Sequence, residues 1–195
     1  MTSFIQKLKL VPPRLAGLSL LTVFAATAFI GCAENSEKRE AARSAAKEKL
    51  AELLDTYETQ QGVVLNLLHN SDDPAAVERE TRTLVELSLP VLDAYTEVNP
   101  RSRTYLMASK RVMDVLDTIS EEAIERDYHD EAILPARPDD GGTSYHVKDL
   151  LIHPATVLVL LREEGLEARR DDMIHEIERN INHVAGVRLI LPGPE

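Results

Sequence analysis

Tryptophan is absent, and all three phenylalanines fall within the first thirty of the 195 residues. With five tyrosines as the other aromatics, a core has to be built mainly from Leu, Val, Ile and Ala, residues that suit helices packed on helices. Cysteine occurs once, at Cys32, which excludes an intramolecular disulfide, a thiolate metal cluster and a haem attached through paired thioethers. The chain has no Gly-x-Ser-x-Gly elbow, no His-Glu-x-x-His pair and no Gly-rich phosphate loop, so no catalytic residue is assigned and an enzyme is not the expectation. Basic residues are scarce as well. Three of the 22 (Lys7, Lys9 and Arg14) and none of the 33 acidic residues precede Cys32, which leaves 19 against 33 and a net charge of −14 from there on. Such a surface repels nucleic-acid phosphates and anionic headgroups, so nucleic acid is excluded as a partner and any membrane contact has to come from an anchor.

The first thirty-two residues supply one. A basic stretch (1–14) is followed by an apolar run (15–30) and then by Gly31 and Cys32. As a helix the run is about 24 Å long, short of the roughly 30 Å that a permanent span needs, so it reads as an export signal. Residues 1–33 resemble bacterial lipoprotein precursors, in which a small residue and a cysteine close the apolar run. The resemblance implies lipid attachment to Cys32, cleavage between Gly31 and Cys32, and acylation of the new amino terminus. Ala33 stands where an inner-membrane retention signal would place Asp, which by the same resemblance points to the outer membrane facing the periplasm. Several acyl chains on one residue give stable attachment where a single chain does not.

The organisation expected is a signal peptide (1–31), a lipidated start with a thin Ala-rich helical stalk (32–50), and one all-α domain (51–195) forming a bundle of four to five helices. Ala42, Ala46, Leu50, Leu53, Tyr57, Val64 and Leu68 share one face of a first helix. Asp73-Pro74 and Asn99-Pro100 read as helix restarts, with a polar cap before a proline that needs no donor. A third helix is expected through Leu106, Val112, Leu116, Ile119 and Ala123. A loop over residues 128–144 precedes a fourth helix, capped by Thr143 or Ser144, that runs to Glu164. After a stop at Gly165-Leu166, a fifth helix runs from Glu167 to Ala185. The tail from Gly186 to Leu191 reads as a short extended segment.

Chemistry is suggested by the histidines, four of which lie in the last fifty residues. His146, Asp149 and His153 follow an i, i+3, i+7 pattern on the fourth helix, and His175, Glu178 and Asn182 repeat it on the fifth with His183 adjacent. Antiparallel pairing about Gly165 places His153 level with Ile177 or Glu178 and about one turn from His175, and places His146 level with Ala185 and within reach of His183. Facing helices that project nitrogen and oxygen ligands are how bundles hold metals. Pro154 leaves the Leu150 carbonyl without its helical donor and open to a ligand or water. Two functions follow as expectations. The first is a non-enzymatic tethered domain, without a cofactor, for binding a partner protein or supporting an assembly of the cell envelope. The alternative is a bundle that holds a divalent metal or haem through His146, His153, His175, Glu178 and His183.

Overall fold

The computed structural model describes the backbone of residues 22–191 and the side chains of residues 37–191. The basic start of the expected signal and the Cys32 side chain lie outside the described residues. The chain divides into two units, Met1–Glu40 and Ala41–Glu195, and the second contains the core. Among the described residues all regular structure is helical, and no helix is long and apolar enough to cross a membrane.

The elements are α1 (Thr22–Asn70), α2 (Pro74–Val98), a 3-10 turn (Pro100–Ser102), α3 (Arg103–Ser109), α4 (Val112–Val115), α5 (Glu121–Ile124) running into a π turn (Glu125–His129), α6 (Thr143–Glu163) and α7 (Leu166–Arg188). The expected face of α1 is buried at Ala46, Leu50, Tyr57, Val64 and Leu68, whereas Ala42 is exposed and Leu54 is buried in place of the partly buried Leu53. At the first restart the Asp73 carboxylate accepts from the Ala75 N–H at 3.0 Å and Pro74 opens α2, as the dipeptide predicts.

Three expectations are corrected. The third helix is broken into α3, α4 and α5. Side chains supply local alternatives to a continuous ladder: the Ser109 hydroxyl donates to the Tyr105 carbonyl, the Ser120 hydroxyl accepts from the Ala123 N–H, and Arg162 of α6 donates to the carbonyls of Leu116 and Ile119. Neither Thr143 nor Ser144 caps α6. Gly142 occupies the cap position with φ 87°, and the Asp140 carboxylate accepts from the Ser144 N–H, the Ser144 hydroxyl, the Tyr95 hydroxyl and the Asn99 amide, tying the end of α2 to the start of α6. The tail is helical as far as Arg188, because Val187 is fully buried and Arg188 donates to Asp55 and Glu58 of α1.

Helix α6 occupies the centre of this unit, packed against α7, α2, α3, α5 and the π turn. Every residue from 147 to 160 is buried, which is the pattern of a helix covered on all sides. Pro154 lies within it, and the Leu150 carbonyl that it frees accepts the Tyr57 hydroxyl at 2.5 Å. Tyr57 in turn accepts from the Asn180 amide of α7, so the gap left by proline is closed by side chains and is not open to a ligand. Gly165, at φ 86°, makes the turn into α7, whose backbone is kinked at Arg169.

Candidate metal centre

Because α6 is buried all round, its polar residues are buried with it. Lys148 and Asp149 are completely inaccessible and His153 is 2% exposed. The Lys148 ammonium donates to the carbonyls of Tyr128 (2.8 Å) and His129 (3.2 Å) and to the Glu131 carboxylate (3.4 Å). These three acceptors use its three hydrogens. It also stands 3.1 Å from Asp149 Oδ1, giving that carboxylate a neighbouring charge but no hydrogen bond.

His153 Nδ1 lies 2.7 Å from Glu176 Oε2 of α7, and Nε2 is buried with no hydrogen-bond partner. His129 ends the π turn, with its ring 4.7 Å from that of His153 and its Nε2 3.7 Å from Glu176 Oε2, beyond hydrogen-bonding distance. On the other side of His153 the His183 ring is 4.8 Å away. His183 Nδ1 is 3.6 Å from Asp149 Oδ2 and 3.0 Å from His146 Nδ1. Four of the six histidines therefore form a continuous row through the core.

Two triads in this row have donor atoms within 4.8 Å of one another: His129, His153 and Glu176, and Asp149, His153 and His183. The electrostatics follow from burial against pairing. Burial works to raise the Glu176 carboxyl, but the imidazoles of His129 and His153 hold it down to about 2. Burial pushes His183 down to about 4, the Asp149 charge offsetting only part of the effect. Burial would also lower His129, yet Glu176 and Asp149 together leave it raised. Tyr145, half-buried with its ring 5.4 Å from that of His183, is raised to about 12 by burial and then by the charge of Asp149.

Of the residues singled out in the sequence, the structure brings together His146 with His183, and His153 with His183. It does not bring His175 or Glu178 to His153, since both are exposed on the far side of α7. Glu176 takes the expected place of Glu178. Counting from Gly165 finds the correct height along α7, but the face turned inward is the buried stripe Met173, Glu176, Ile177, Asn180, Val184 and Val187, which leaves His175 and Glu178 outside it. Sequence reasoning does not select Glu176, Lys148 or His129. A signal existed for the first two, as a carboxylate beside Ile177 in the apolar stripe of α7 and a cation at the head of the longest buried run. None existed for His129, which comes from an irregular turn.

Compared with known proteins, the chain matches no family model, no curated protein and no solved structure.

Proposed function

We propose that the chain is a lipid-anchored envelope protein whose helical domain binds a divalent first-row transition metal through Asp149, His153 and His183. One observation carries the metal reading: both Asp149 oxygens, His153 Nε2 and His129 Nε2 are buried side-chain atoms without a hydrogen-bond partner, and the closest charged group to any of them is the Lys148 ammonium, 3.1 Å from Asp149 Oδ1. Buried polar atoms in native proteins are nearly always paired, and each orphan costs on the order of 1–3 kcal/mol. A cation among the first three relieves them together. Glu176 on the far nitrogen of His153 is the arrangement that fixes a ligating imidazole and raises its basicity. Imidazole and carboxylate donors suit zinc and its neighbours, and a site enclosed by buried helices suits holding an ion more than turning over a substrate.

Purified full-length protein in detergent should bind about one equivalent of Zn(II) or Co(II). His153→Ala should weaken binding more than 100-fold, and Glu176→Gln, which leaves the three ligands in place, about 10- to 100-fold. Absence of saturable binding, or His153→Ala binding like wild type, removes the metal reading.

The anchor rests on residues 1–33. Cys32→Ala should leave the protein either unprocessed or outside the membrane fraction. Fractionation and migration like wild type would contradict it.

A further inference from the structure

We infer that His146 is the fourth donor of this site, and that Gly186 is a glycine because the His146 ring has to lie against its α-carbon to reach the ion. The inference rests on the metal reading above and adds two residues to it.

The first observation is a distance. His146 Nδ1 and His183 Nδ1 are 3.0 Å apart, each nitrogen facing the other. Ligands at 2.0–2.1 Å from a tetrahedral ion stand about 3.3 Å from one another, so the two imidazoles are already spaced as a chelating pair. In the metal-free chain one nitrogen donates a hydrogen to the other. Replacing that hydrogen by the ion keeps these two nitrogens near their present spacing, while His146, outside the set of donors that already lie within 4.8 Å of one another, has to swing inward towards Asp149 and His153. His183 links the pair to Asp149, 3.6 Å from its Nδ1, and so to His153.

The second observation is independent of ligand geometry. A β-carbon at Gly186 would lie 2.6 Å from His146 Cδ2, 2.7 Å from Cγ and 2.9 Å from Nε2, closer than nonbonded carbon atoms approach. Gly186 sits inside α7 with no positive φ, so it serves neither a turn nor a helix cap. Glycine in a helix costs stability relative to alanine, and a local reason for it is required. The three nearest neighbours of its missing side chain are all atoms of the His146 ring. With that side of the ring against α7, Nδ1 is the nitrogen presented to His183. Gly186 is thus a positioning residue that acts through His146.

The experiment is Co(II) and Zn(II) titration of the full-length wild type, His146→Ala, Gly186→Ala and the Gly186→Ala/His146→Ala double variant, with helix content followed by circular dichroism. Wild type should show the intense visible bands of four-coordinate Co(II). His146→Ala and Gly186→Ala should each weaken metal binding at least 10-fold and change that spectrum. In the double variant the added β-carbon meets no ring, so Gly186→Ala should have no further effect in the His146→Ala background, which also controls for a folding defect. Wild type that binds no metal ends both this inference and the metal reading. Wild type that binds tightly, with His146→Ala unchanged in affinity and spectrum, overturns the fourth-ligand assignment and leaves the triad standing. A Gly186→Ala effect that persists at full size without the His146 ring overturns the positioning role.

Discussion

Lys148→Ala is expected to destabilise the metal-free protein by about 3–5 kcal/mol, the range found when one partner of a buried ion pair is removed. The side chain is wholly inaccessible, and its loss strips donors from the Tyr128 and His129 carbonyls while leaving Asp149 buried with no cation beside it. Cavity formation adds to this, so Lys148→Met, which keeps most of the volume, separates packing from charge. Both variants should be strongly destabilised, because the unpaired Asp149 is common to them. Adding Asp149→Asn to Lys148→Met should recover part of the loss, since a neutral amide is less costly to bury than a carboxylate. Urea unfolding in the presence of a chelator measures all four proteins. A change below about 1 kcal/mol for Lys148→Met would mean that the ammonium contributes nothing beyond its bulk.

A second large effect is expected with acid. His183 titrates near 6.5 when unfolded and about 4 in the fold, so between these values the unfolded chain binds the extra proton and stability falls as pH falls. The span corresponds to about 3 kcal/mol at roughly 1.4 kcal/mol for each pH unit. Glu176 continues the loss: its carboxyl goes from 4.5 unfolded to about 2 folded, so the stability it contributes is present above 4.5 and disappears as pH drops toward 2. His129 acts with the opposite sign. Its raised value favours the fold below 6.5 and loses that contribution as pH rises through the folded value. The chelated protein should therefore be most stable close to neutrality and weaken steeply below pH 6. His183→Asn should flatten the limb between pH 6.5 and 4 while leaving the lower one in place. Stability constant from pH 7 to 4 in the wild type would show that His183 is not held neutral by its surroundings.

The long helices were legible because their signals are local. Asp73-Pro74, Gly165 and the seven- and four-residue spacing of Leu50, Tyr57, Val64 and Leu68 each act through neighbours in the chain. The break between α4 and α5 was not, because there Arg162, more than forty residues away, takes the carbonyls of Leu116 and Ile119. The site divides in the same way. Pairing about Gly165 found the meeting of His146 with His183, since both depend on one turn. It failed for Glu176 because counting residues gives height along α7, whereas rotation about its axis follows the apolar stripe. Lys148 and Asp149 look like surface residues in a helix read alone. Only the arrival of α2, α5 and α7 on every side of α6 makes them interior.

That enclosure has a consequence for how the molecule reaches its native state. Until the surrounding helices close, Lys148, Asp149 and His153 are hydrated and favour staying so, while the leucines and valines beside them on α6 favour collapse. The most apolar helix of the domain thus carries its strongest local frustration, a conflict on an otherwise smooth folding landscape. Expulsion of water from this row is expected at the last stage of assembly, so amide exchange in the π turn should report a looser structure than in the apolar half of α6 beyond Pro154. An ion held as proposed would take over the work of the departing water at that stage, so that ligand capture and final closure would become one step.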